Sequence, residues 1–219
     1  MSNENCENKI FNVEPYATYL VGEIPQGIFK ASIAPRPIGW VSSVSSTGCH
    51  NLAPFSYFNA VCDNPPTIMV SMTDQHTDSG PKDTLQNIED THHFVVNIVT
   101  KELFEQMNLT SINLSRNIDE FVYAKLDWID SNLGKARRVK NSPIHLECEY
   151  VNSIQLPQGN KDVVNRMIIG TVVAMHINPN FLTKDGKVDY DKLQLIARLG
   201  YNDYLVLDTK NTFKSSRPK

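Results

Sequence analysis

The sequence predicts a β-rich α+β fold, a β-barrel with added helices rather than a doubly wound sheet. Three observations lead there. From Gly27 to Met72 the chain runs through short β-prone segments, IFKASI, PIGWVSSVS, FSYFNAVC and TIMVSM, separated by Pro, Gly and Asn clusters. Two longer strand-like runs follow, LECEYVNSIQL and VVNRMIIGTVVAMHI, with Gly159 and Asn160 between them as a possible hairpin turn. Helical segments are few and do not alternate regularly with strands, as βαβ units would require.

Residues 1–26 are polar and broken by Pro15, Gly22 and Pro25, so they are expected to form an arm ahead of a single main domain over 27–219. DTLQNIEDT at 83–91 reads as a short helix with Asp83 or Thr84 as N-cap, followed by the strand HFVVNIV. KELFEQMNLTS is again helical, with Leu103, Met107 and Phe104 on its apolar stripe. In the last long run Met167, Ile169, Val173, Met175 and Ile177 share one face, and Ile168, Val172 and Ala174 the other. Both faces therefore need cover, from the barrel core on one side and from helices or a second copy on the other. A homodimer is one expectation from this pattern; cover by the chain's own helices is the other. The basic stretch KARRVK at 135–140 reads as a solvated loop.

Composition narrows the partners. The 219 residues are 41% hydrophobic and 21% charged, enough for one sizeable core. A formal net charge of -3 gives no broad basic face, so no nucleic acid is expected as a partner. No apolar segment reaches the length of a membrane span, and MSNENCENKIF lacks a signal region, so no membrane is expected and the expected location is the cytoplasm. Cys6, Cys49, Cys62 and Cys148 are scattered without a CxxC and are read as reduced thiols, mostly buried. His145 and Cys148 have an HxxC spacing, but residues three apart on a strand face opposite ways, and no metal is assigned. His92, His93, His145 and His176, on strand-like runs, are given no catalytic role. Rossmann, Walker, GxSxG and HExxH motifs are absent. A nicotinamide-dependent enzyme without a Rossmann unit would have to hold its dinucleotide against another bound cofactor.

Residues 32–72, SIAPRPIGWVSSVSSTGCHNLAPFSYFNAVCDNPPTIMVSM, carry PRPI, WVS, NLAPFSxFN and a PP before a strand. PKDT at 81–84 and IARLGYNDY at 196–204, then Phe213 and Arg217-Pro218, follow in order. This series resembles the flavin reductase-like family, flavoredoxin-type proteins included. The resemblance implies an FMN-binding split β-barrel with peripheral helices. One departure is Tyr201-Asn202 after ARLG, where many relatives carry another glycine; it bears on the loop beside the flavin and on substrate access.

FMN offers a phosphate dianion, ribityl hydroxyls and ring acceptors, so its site must be rich in donors. Lys82 and Thr84, with Ser71, are the phosphate candidates: a cation, hydroxyls and a helix N-terminus make an anion site. The bland reading is a helix cap beside a solvated lysine; the resemblance tips the balance to phosphate. Around ring and ribityl chain the resemblance places Trp40, Val41, Ser42 and Ser43, then Asn51, Leu52 and Ala53. Ser56 and Asn59 are further candidates on a predicted strand. Arg36, stiffened by two prolines, could face an anion or a flavin carbonyl, or sit in a surface turn. Arg198 could reach the cofactor or pair across a dimer contact. The implied activity is NAD(P)H-dependent reduction of FMN; a flavoredoxin-like electron carrier fed by a protein donor is the alternative, and a barrel that has lost catalysis is a third.

Overall fold

The β-prone runs pair into one all-antiparallel sheet of seven strands: β1 (Gly39–Val44), β2 (His50–Phe55), β3 (Phe58–Asp63), β4 (Pro66–Met72), β5 (His93–Ile98), β6 (Ile144–Gln155) and β7 (Arg166–Ile177). Their order across the sheet is β2-β1-β5-β6-β7-β4-β3. The computed structural model describes residues 11–13, 16–20, 22–73, 76–78, 80–158 and 163–218. Among the described residues five short α-helices decorate the sheet: α1 (Ile28–Ser32), α2 (Asp83–Thr91), α3 (Phe104–Leu109), α4 (Glu120–Tyr123) and α5 (Tyr190–Leu193). A small second sheet joins Arg36–Pro37, Ile196–Arg198 and Tyr204–Val206.

The two ends of the large sheet curl toward each other without pairing, which makes the barrel a split one. Gly39 on β1 permits that approach: a Cβ there would lie 2.8 Å from Cγ of Phe58 on β3. Period-two alternation then builds a core on each face of β1. Val41 points inward with Phe58, Ile68, Val70, Met72, Phe94, Val96 and Ile168, and α2 closes this interior with Leu85 and Ile88. Trp40 points outward with Leu52, Met107 and Phe121, where α3 and α4 pack. Every residue of β1 is buried for this reason.

β6 and β7 form the predicted hairpin, paired from Ile144↔Ile177 to Gln155↔Arg166 with register shifts between Glu147 and Cys148 and between Tyr150 and Asn152. Its turn at Gly159 and Asn160 lies outside the described residues. Within β7, Gly170 lies under the Phe94 ring; a Cβ would meet Cζ at 2.5 Å and Cε1 at 2.8 Å. Phe94 is fully buried and has nowhere to go. Gly170→Ala is therefore expected to cost about 1–2 kcal/mol by overpacking, read as a lower Tm in a thermal melt. An unchanged Tm would mean that the ring is not held there.

Several expectations are corrected. IFKASI is a helix: Gly27 turns the chain at φ 87, Ala31 N–H donates to Gly27 O, and the Arg36 guanidinium donates to the carbonyls of Lys30 and Ile33 at the helix end. Neither Asp83 nor Thr84 caps α2. Both are inside it, because the Asp83 carboxylate is drawn to Arg116 and His76 and the Thr84 hydroxyl donates to Asn51. KARRVK is not a solvated loop throughout. Arg137 pairs with Asp119 and covers the Trp128 ring at 3.8 Å, and Arg138 donates to Asp130 O. The thiols are mixed: Cys148 is buried, Cys49 half-buried and Cys62 exposed, while Cys6 lies outside the described residues. The chain's own helices leave one face of β7 open at Val173 (37% exposed) and Met175 (54%).

Candidate functional site

At the mouth of the barrel a cleft of ≈ 240 Å³ runs between the end of β2, the end of β4, the start of α2 and the 110–114 loop. Hydroxyl, amide and charged groups dominate its walls. Asn51, Ala53 and Ser56 supply one side, Ser71 the floor, and Lys82 and Thr84 the end at the α2 N-terminus. The first amides of a helix have no partner within it, so this end presents N–H groups, an ammonium and hydroxyls together.

A buried relay fixes these groups. Thr84 Oγ1 donates to Asn51 Oδ1 at 2.6 Å; Ser43 Oγ donates to the same oxygen at 3.3 Å and accepts from Asn87 Nδ2 at 3.1 Å. Lys82 Nζ reaches Asn113 Oδ1 at 3.3 Å, so the lysine leans across the cleft instead of out to solvent. His76, buried, donates from Nε2 to Leu114 O at 2.9 Å and accepts the Asp78 N–H at Nδ1, tying the loop before α2 to the 110–114 loop. Glu120, at the start of α4, lines the same cleft while only 6% exposed and accepts the Leu52 N–H at 3.0 Å. Burial pushes its carboxyl up to about 7, against the lowering effect of its hydrogen bonds from Leu52, its own backbone and Asn51.

The cleft thus gathers six of the residues nominated from sequence: Asn51, Ala53, Ser56, Ser71, Lys82 and Thr84. Others sit elsewhere. Trp40 and Leu52 belong to the outer core, Trp40 donating from Nε1 to Thr110 Oγ1 at 2.8 Å. Val41 is in the barrel interior. Ser42 is buried and donates to the Arg137 carbonyl at 2.5 Å, and Ser43 acts through Asn51. Asn59 is exposed, its Oδ1 accepting the Ala60 N–H, and Ser56 precedes β3 instead of lying on it. Sequence reasoning missed Asn113, His76 and Glu120. The polar run TSIN after α3 was a signal for the first; a histidine and a glutamate flanked by ordinary loop residues gave none.

A second pocket, of ≈ 760 Å³, adjoins the cleft and shares Lys30, Pro54, Ser56 and Ser111 with it. Arg36 and Arg198 line this one, with Tyr201 and Tyr204. Arg36 is buried, donating to the carbonyls of Lys30, Ile33 and Leu199. Arg198 stacks on Tyr204, its guanidinium 4.3 Å from the ring centroid. Tyr201 occupies the left-handed region at φ 55, and its ring lies where a Gly27 Cβ would be, 2.8 Å away. Behind it Gly200 touches α1: a Cβ would come within 2.3 Å of Ala31 Cβ and 2.8 Å of its Cα. Backbone cannot yield as a side chain can, so Gly200→Ala should push α1 off this wall at a cost of about 1 kcal/mol. Faster limited proteolysis within residues 27–33 would show it; an unchanged digestion rate would refute it.

Three further histidines, His93, His145 and His176, form a separate group on the sheet. His176 Nε2 donates to the fully buried Glu147 at 2.8 Å, His93 lies 3.7 Å from the same carboxylate, and His145 bonds Val139 O. Glu147 also accepts the N–H groups of Asn132 and Leu133 at 2.9 Å. Burial alone would raise its pKa, but these donors outweigh it and hold the group below the ordinary value. The cluster anchors the 131–134 loop and does not line the cleft.

Comparison with known proteins places this architecture. The family model described as "Flavin reductase like domain" matches residues 31–192. An uncharacterized protein of Aquifex aeolicus is 36% identical over 173 residues, covering 79% of this chain and 85% of that protein. Nitrilotriacetate monooxygenase component B from Bacillus cereus superposes with TM-score 0.81 at 32% identity, over 95% of this chain and 100% of that one. The 2-nitrobenzoate 2-nitroreductase of Pseudomonas fluorescens gives 0.73 at 29% identity, over 87% and 89%. With its split barrel and a match over most of its length, the chain belongs to the flavin reductase-like family.

Proposed function

We propose that this protein is an FMN-binding oxidoreductase that uses NAD(P)H to reduce the flavin. The observation that carries the reading is the donor set at the cleft end, where Lys82, Thr84, Ser71 and the free amides of α2 converge beside Asn51. That set fits a phosphate dianion: it offers a cation steadied by Asn113, the Ser71 hydroxyl and helix N–H groups, and the Thr84 hydroxyl would join them by turning its proton from Asn51 to the phosphate. Ala53 and Ser56 continue the wall toward the second pocket and would flank the ribityl chain and ring. When bound, FMN supplies the hydride-accepting ring; the protein's part is to orient it and to keep the approach to one ring face open. No general acid or base is needed for hydride transfer.

The family's oxidoreductase character supports this reading, as do the two similar structures whose names are a monooxygenase component and a nitroreductase. The test is an absorption titration with FMN, then anaerobic mixing with NADH and NADPH. Rapid bleaching of bound flavin is expected. Flavin that binds and stays oxidised would replace the reading by the electron carrier, and no flavin binding would end both.

We further propose a homodimer. Val173 and Met175 on β7, with Val151 and Ile154 on β6, leave apolar side chains exposed on one hairpin. Met175→Glu is expected to shift the mass measured by light scattering from dimer to monomer; a wild-type protein that is already monomeric would contradict the proposal.

A further inference from the structure

The second pocket carries a charge that no carboxylate among the described residues balances. Arg36 is 6% exposed, and its three carbonyl partners bring partial charges only; its Nε has no hydrogen-bond partner. Among the described residues none of Lys30, Arg36 and Arg198 pairs with a carboxylate, and the pocket lining contains neither Asp nor Glu. A guanidinium withdrawn from water keeps a positive field that low-dielectric walls screen poorly. The field opens on a cavity whose other cations, Lys30 and Arg198, sit at its sides. Between them lie Ile38, Pro54 and Met107, an apolar lining suited to hydrocarbon instead of a second charge. Tyr201, in place of the glycine expected after ARLG, adds a ring to the wall.

We propose that this pocket is a binding site for a small organic carboxylate with an apolar, planar body, its carboxylate held by Lys30 and Arg198 in the field of Arg36. The site stands beside the proposed flavin cleft and rests on the reading that the flavin phosphate lies at Lys82 and Thr84. Lys30 and Arg198 recognise the anion, Arg198 with the guanidinium N–H groups left over from its bond to the Tyr201 carbonyl, while Arg36, which donates to three carbonyls, acts as a fixed charge. A nucleotide polyphosphate fits less well, because it would put strongly hydrated oxygens against Ile38 and Met107.

Benzoate and benzamide, which share a ring and differ in charge, are the probes. Calorimetric titration is done on the protein as purified and again after FMN saturation, with FMN binding measured separately by absorbance. Benzoate is expected to bind at least ~10-fold more tightly than benzamide, with an affinity that falls as salt rises. Lys30→Gln, at an exposed position on α1, is expected to weaken benzoate by ~10-fold and leave benzamide unchanged; Arg198→Gln should do the same. Equal affinities for the two probes, no binding of either, or benzoate affinity unmoved by both variants would overturn the proposal. Benzoate that displaces FMN would also overturn it, by giving the pocket to the flavin, and would leave the flavin reading standing. Charge-dependent benzoate binding by a protein that fails to take up FMN would uphold this site and defeat the flavin reading.

Discussion

Lys82→Ala protein is expected to bind FMN roughly 10- to 100-fold more weakly than wild type, the equivalent of losing one charge-assisted hydrogen bond. The position of the ammonium sets the size of the loss. Lys82 stands at the N-cap of α2, leans across the cleft to Asn113, and sits beside the Thr84 hydroxyl. An anion placed there would meet the lysine and the first helix amides at once, and the amides would survive the substitution. The loss should therefore be large but incomplete, and it should shrink at high salt. Riboflavin, which lacks the phosphate, supplies the control: its affinity should be the same for both proteins. If Lys82→Ala weakened riboflavin and FMN equally, the lysine would be shaping the cleft instead of holding phosphate. If neither changed, the phosphate would lie elsewhere.

How much of this was legible in the sequence depends on the physical range of each interaction. The strands were, because alternation and turn residues act locally: β4, β5 and the β6–β7 hairpin fall where their apolar runs predict. Helix α1 was not. Its five residues look like strand, and what makes them helical is Arg36 donating to the carbonyls at its end and Gly200 making room for Ala31. Both contacts come from outside the segment. The cleft shows the same division. Lys82 and Thr84 could be nominated because a cation, a hydroxyl and a helix start are adjacent in sequence. Trp40, Val41 and Leu52 were nominated with them for the backbone N–H groups of their segment; the packed structure adds that their side chains serve the two cores. His76, Asn113 and Glu120 had no local signal, because each reaches the cleft through a loop or a short helix whose position is set by tertiary contacts.

Glu120 yields the other large effect. Its carboxyl is buried against the cleft and its pKa is pushed up to about 7, chiefly by burial. In the unfolded chain the same group ionises near the ordinary carboxylate value, so between about 4.5 and about 7 the folded state keeps a proton that the unfolded state has released. A folded pKa above the unfolded one means stability is fully present at low pH and is lost as pH rises through that window, then levels off. The loss over the whole window is on the order of 3 kcal/mol, of which about 2 kcal/mol falls above pH 5, and Asp83 adds to it by opposing a second negative charge nearby. Glu120→Gln removes the ionisation while keeping an oxygen able to accept the Leu52 N–H. Urea denaturation of both proteins at pH 5, 6, 7 and 8 should show the variant gaining about 2 kcal/mol on wild type across the series. Any fixed cost of burying the amide moves all four points together and leaves that slope intact. The same charge faces the proposed phosphate site, so wild-type FMN affinity should fall relative to the variant's over the same pH range. Parallel stability curves would show that Glu120 is ionised throughout, and the cleft would then have to hold a carboxylate and a phosphate side by side.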